Sequence, residues 1–160
     1  MTTMADRLTF LKGFLQRPRE VGSVVPSSRF LEQRLLRVID AAHARTLVEL
    51  GPGTGGTTRA VLKALPADSR LLAIDTNPAF VRELAAIRDP RLHVAEGSAA
   101  DLATLIRQHG LTAPDIVFSG IPFSTLPEAV ADGILESVWA ALAPGGRFTA
   151  YQFRDAVCRQ

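Results

Sequence analysis

With 160 residues, 47% of them apolar and 21% charged, the chain is long enough for one domain that buries roughly 70% of its unfolded surface. No apolar run approaches the roughly 20 residues that span a bilayer, and the N-terminus lacks an apolar signal segment with a small-residue cleavage site. A cytoplasmic location is therefore expected. The single cysteine, Cys158, excludes an internal disulfide and a cysteine-rich metal site, and the dispersed His43, His93 and His109 show no metal-ligand spacing.

Net charge is only +2, but residues 1–37 hold seven Arg/Lys against three Asp/Glu, which is +4, so the remainder carries −2. A basic segment on a slightly acidic body suits an anionic partner, a membrane or a nucleic acid, or simply a solvated helix face.

Along the chain, Leu8, Leu11 and Leu15, flanked by Phe10 and Phe14, make one face of a helix whose polar face carries Arg7, Lys12 and Arg17. Pro18 ends it. A loop over residues 21–26 follows, and Ser27 or Ser28 caps a second helix to about Ile39, with Leu31, Leu35 and Val38 on its buried side. The rhythm then alternates between strand and helix. Strands are predicted over residues 46–50, 71–75, 92–95, 115–119 and 147–153, separated by helices ending near Leu65, starting after Pro78, and covering about 101–108 and 127–142. Five strands separated by helices predict βαβ units and a parallel sheet with helices on both faces. Ligands of such sheets bind beyond the carboxyl ends of the strands.

The residues found there are chemically distinctive. After strand one, Gly51, Pro52, Gly53, Thr54 and Gly55 allow a tight turn and a close backbone approach to a ligand at a helix N-terminus. Gly51, Gly53 and Gly56 also satisfy the dinucleotide spacing G-x-G-x-x-G, so the glycines leave two ligand classes open. Glu49, ending the strand, would repel a pyrophosphate and suit a cationic sulfonium. Asp75, followed by Thr76 and Asn77, can accept both hydroxyls of a ribose, or else cap the helix near Pro78. Gly97, Ser98 and Ala99 can border an adenine, or be a plain small-residue turn. Ser119, Gly120, Ile121, Pro122 and Phe123 make a proline-fixed turn after strand four, which offers backbone carbonyls and an apolar wall to an amine. Phe123 can lie against a base or a cation, or pack in the core.

Together with the turn Ala143-Pro144-Gly145-Gly146-Arg147, these four loops resemble the class I S-adenosylmethionine-dependent methyltransferases over residues 46–153. The resemblance implies a Rossmann-like, doubly wound α/β sheet and S-adenosylmethionine as methyl donor. It assigns the methionine part to Glu49 and the glycines, the ribose to Asp75 and the adenine to Ser98. Ser119–Phe123 is similar to the Asn-Leu-Pro-Tyr motif of ribosomal RNA adenine dimethyltransferases, with Ser119 in place of Asn. It resembles more closely the turn of bacterial phospholipid N-methyltransferases, whose N-terminal segment is similar to residues 10–15 and 21–28 here.

The expectation is a single domain over residues 1–160, with a helical extension over 1–40 and a cofactor-binding core over 46–153. The activity implied is methyl transfer to an amine of a phospholipid headgroup, with residues 5–17 docking on an anionic membrane surface. The alternatives are N-methylation of an RNA adenine or a small-molecule amine, and a non-catalytic binding module of the same fold. Transfer from a sulfonium to an amine calls for no metal. Members of the family continue past strand five with a helix and hairpin strands, whereas this sequence ends at Gln160. The resemblance thus implies an exposed edge at strand five that favours association, and a role for the further segment in activity.

Overall fold

The computed structural model describes residues 29–151. The helix expected over residues 8–15, the loop over 21–26 and the end of the fifth expected strand lie outside them. The described chain runs α1 (Arg29–Val38), β1 (Thr46–Leu50), α2 (Gly56–Ala64), β2 (Arg70–Asp75), α3 (Pro78–Ala85), β3 (Leu92–Glu96), α4 (Leu102–Gln108), β4 (Ile116–Ser119), α5 (Glu128–Ala141) and β5 (Arg147–Ala150). Single 3₁₀ turns at Ala99–Asp101 and Phe123–Thr125 follow β3 and β4. The first four strands fall within a residue of the bounds read from the sequence.

All five strands are parallel, in the order β3-β2-β1-β4-β5. The chain therefore winds outward from β1 to β3, then returns to the other side of β1. The order reverses between β1 and β4, and a crevice opens there beyond the strand ends.

Alternation along the central strands sorts the core into two faces. Leu47, Leu71, Ile116 and Phe118 pack with Leu35 and Ile39 of the α1 region and with Val61, Leu62 and Leu65 of the α2 region. Val48, Leu50, Leu72, Ile74 and Val117 pack on the opposite face with Leu102, Leu105 and Ile106 of α4 and Ile134 and Val138 of α5. Glu49 falls on the α2 face, between Leu47 and the loop.

The expectation for α1 is corrected at one position. Leu35 is buried as predicted, but Val38 is 48% exposed and Ile39, just past the helix, is fully buried. The cause is local. Ile39 N–H donates to Leu35 O at 2.9 Å, one turn back, and Asp40 takes a left-handed φ of 49° that turns the chain away. The inward stripe is thus Leu35–Ile39, at a spacing of four rather than three.

The far end of α2 is held by Arg91. Its guanidinium donates to the Leu62 and Leu65 carbonyls at 2.7 Å each, and to Asp89 through Nε at 3.0 Å and Nη2 at 2.7 Å. These helix-terminal carbonyls have no intrahelical donor, and a cation there also opposes the helix dipole. Arg91→Ala should lower the unfolding free energy by about 1–3 kcal/mol in urea titration. A shift below about 0.5 kcal/mol would show that water replaces the guanidinium.

Candidate active site

The glycine loop is bent by three left-handed residues, with φ of 67° at Gly51, 57° at Gly53 and 81° at Gly55. Its backbone is anchored to β2. Gly51 N–H donates to the Ile74 carbonyl at 3.0 Å, and Gly53 N–H to Asp75 Oδ2 at 3.1 Å. A Cβ on Gly51 would also stand 3.0 Å from Ile121 Cγ1, so the loop and the turn after β4 meet there. Gly120 N–H donates to the Leu50 carbonyl at 2.9 Å, which docks that turn on β1.

Around this contact lies a cleft lined by Gly51, Gly53, Asp75, Thr76, Gly97, Ala99, Gly120, Ile121 and Pro122 from the sequence motifs. Four apolar residues, Ile74, Phe80, Leu126 and Ile134, complete it, and the sequence reading missed them. Phe80, Leu84 and Ile87 have the i, i+4, i+7 spacing of an ordinary core stripe. The one available signal was an aromatic residue in the first turn after Asp75.

Other motif residues take supporting places. Pro52 and Gly55 are buried within the loop and Thr54 is exposed at its tip. Asn77 caps α3 by accepting from Ala79 N–H at 2.9 Å. That leaves Asp75 free of the capping role. Ser98 accepts from Ala100 N–H at 3.1 Å, and the cleft is bordered by its neighbours Gly97 and Ala99 instead. Phe123 sets its ring edge-on to Phe148, with centroids 6.1 Å apart, as part of the packing on the α5 side. Ser119 is fully buried, and its Oγ accepts from Ile121 N–H at 3.1 Å.

The electrostatics are one-sided. Glu49 has no exposure to solvent. Its Oε2 accepts from Thr58 Oγ1 at 2.6 Å, and its Oε1 has no partner among the described residues. Loss of hydration, only partly offset by the Thr58 bond and reinforced by nearby Asp75, pushes its pKa up to about 8. Burial raises the Asp75 pKa as well, against backbone donors at Asn77 (2.8 Å) and Gly53. The guanidinium nearest the loop, on Arg59, donates to the Thr54 carbonyl at the exposed tip. Two buried acids and an orphaned Oε1 suit a cationic ligand and oppose a pyrophosphate. Thr76 Oγ1, buried in the cleft wall without a partner among the described residues, is a further unspent polar group.

This fold and cleft have known counterparts. A family described as a methyltransferase domain matches residues 48–148. The chain belongs to this family, the S-adenosylmethionine-dependent methyltransferases. The ornithine lipid N-methyltransferase of Singulisphaera acidiphila is 33% identical over 147 residues, covering 91% of this chain and 77% of that protein. The ribosomal RNA small subunit methyltransferase A of Rhizobium johnstonii is 33% identical over 114 residues, covering 68% of this chain but only 39% of that protein. Among solved structures, the DhpI-SAM-HEP complex superposes with a TM-score of 0.65 at 20% identity, covering 99% of this chain and 69% of that one. TrmN from Thermus thermophilus gives 0.64 at 22%, covering 89% and 43%. The fold is thus the Rossmann-like sheet that the motifs imply.

The family's methyl donor carries a sulfonium, and the two acids fit it. In the free protein the same carboxyl makes stability depend on pH. Glu49 holds a proton in the folded state up to about pH 8, but in the unfolded chain only up to the ordinary glutamate value of 4.5. The folded state therefore binds more protons across that window, and stability falls as pH rises through it, by up to about 1.4 kcal/mol per unit from this one group. Asp75 adds in the same direction. Glu49→Gln should remove the Glu49 part of the slope in urea midpoints between pH 6 and 8. A variant as pH-sensitive as the parent would contradict this origin.

Proposed function

We propose that the chain methylates the primary amine of a lipid headgroup, such as phosphatidylethanolamine, at the membrane surface. Family membership supplies the methyl donor. The observation that carries the acceptor is the reach of the lipid relative's similarity. Alignment over 91% of the chain must extend well past residues 48–148 into the basic N-terminal segment. The 68% alignment with the RNA enzyme does not require that. Residues 5–17, with Phe10, Leu11, Phe14 and Leu15 beside Arg7, Lys12 and Arg17, are suited to dock on anionic lipid. They lie outside the described residues. Among those described, no helix is long and apolar enough to cross a membrane.

S-adenosylmethionine, when bound, supplies an electrophilic methyl group for direct in-line displacement by the amine. The chain positions the reactants and keeps water out. Asp75 retains free lone pairs for the ribose hydroxyls, and Phe80, Ile74 and Leu126 supply apolar surface for the adenosine. Glu49 and Asp75 balance positive charge. In the turn after β4, the Ser119, Ile121 and Pro122 carbonyls already accept from the Tyr151, Phe123 and Thr125 N–H groups. Gly120 lines the cleft, and its carbonyl is suited to accept an N–H of the incoming amine and aim its lone pair. Ile121 and Pro122 form the dry wall beside it.

The commitment of Ser119 Oγ to the Ile121 N–H disfavours base recognition, since that hydroxyl does not face an incoming adenine amine. With methyl-labelled S-adenosylmethionine, label should enter phosphatidylethanolamine in anionic vesicles, and Phe10→Glu/Phe14→Glu should abolish vesicle co-sedimentation. Labelling of RNA but not lipid would overturn this assignment.

A further inference from the structure

Tyr151 belongs to no motif in the sequence, yet it touches both halves of the site. It directly follows β5, and its N–H donates to the Ser119 carbonyl at 3.0 Å. Its hydroxyl reaches Thr57 Oγ1, in the first turn of α2, at 3.3 Å. Gly120 sits against it. A Cβ there would stand 2.8 Å from the tyrosine Oη, 3.1 Å from Cζ and 3.1 Å from the Gly51 carbonyl. Gly120 is a glycine because this tyrosine occupies the space, although φ at Gly120 is not left-handed.

We propose that Tyr151 is a positioning residue of the methyl-acceptor site, whose Thr57-anchored hydroxyl holds the Gly120 backbone in place beside Gly51. The proposal rests on the reading that this turn receives the amine. Ser119 is pinned on both sides, by Tyr151 N–H on its carbonyl and by Ile121 N–H on its hydroxyl. The peptide that bears the Gly120 carbonyl is held through its Ile121 N–H, and Gly120 has no side chain to limit its rotation further. The tyrosine ring, filling the place a Cβ would take, supplies a second restraint, and the Thr57 bond stops the ring from swinging away. Burial and the neighbouring Glu49 carboxyl push the phenol pKa up, so the hydroxyl stays a neutral donor at any working pH. Thr57 and Thr58, consecutive in α2, thus hold Tyr151 on the acceptor side and Glu49 on the donor side.

The test compares the full chain with Tyr151→Phe, Thr57→Val and Thr57→Ser. Three quantities are read: turnover with phosphatidylethanolamine vesicles, S-adenosylmethionine affinity by calorimetry, and amide hydrogen exchange at Ile121 in the free protein. Tyr151→Phe and Thr57→Val should lower kcat by roughly 5- to 20-fold, as expected when one hydrogen bond stops holding a reacting group in place. Both should speed exchange at Ile121, while donor affinity stays within about twofold of the parent. Thr57→Ser keeps the hydroxyl and should restore both properties. Unchanged kcat and exchange in Tyr151→Phe would overturn the inference alone. A loss of donor affinity as large as the loss of kcat, in both variants, would also overturn it, since that marks general damage to α2. A parent chain that binds the donor but methylates no lipid amine would overturn the function, and this inference with it.

Discussion

Glu49, the penultimate residue of the central strand, faces the side covered by α2, fully buried, with one oxygen bonded to Thr58 and the other bonded to no described residue. Removing a carboxylate from water costs several kcal/mol unless opposite charge or donors replace the hydration. Here one hydroxyl does so. The free protein meets the deficit by keeping the group protonated, and a cation in the crevice would meet it by electrostatic attraction. Much of the site is arranged around this position. The left-handed Gly51 lifts the chain over it, Asp75 on the next strand adds negative potential, and Tyr151 closes the space behind Gly120.

The sheet order explains why the glycine loop and the turn after β4 meet here. Because β4 lies beside β1 rather than beyond β3, the glycine loop and the turn after β4 are neighbours although they are about 70 residues apart in the chain. Backbone bonds from Gly51 to β2 and from Gly120 to β1 hold the two loops at a fixed separation. Gly120, Ile121 and Pro122 line the cleft between them.

What the sequence made legible follows from periodicity and from loop chemistry. Short apolar runs bounded by Gly, Pro and Asp located all five strands, and because strand ends of a parallel sheet lie on one edge, motif residues from all four loops line one cleft. Asp75 could have been either a cap or a ribose ligand, and Asn77 takes the cap. Three things were not legible. The inward position at the end of α1 depended on a left-handed Asp40, which shifted burial from Val38 to Ile39. The direction of the Ser119 hydroxyl depended on a local bond to Ile121 N–H. The apolar half of the cleft, and Tyr151, depended on contacts across the sheet that leave no local periodicity. Phe80 and Tyr151 look like ordinary core residues until the strand order places them against the crevice.

Entry of a cationic donor beside the buried, protonated Glu49 should ionise its carboxyl and release the proton. Calorimetric titration with S-adenosylmethionine at pH 7, repeated in buffers of different ionisation enthalpy, counts the protons exchanged on binding. A group with a pKa of about 8 is mostly protonated at pH 7, so the parent chain should release somewhat less than one proton and Glu49→Gln almost none. Binding with no proton release by the parent, or with the same release by both chains, would contradict it.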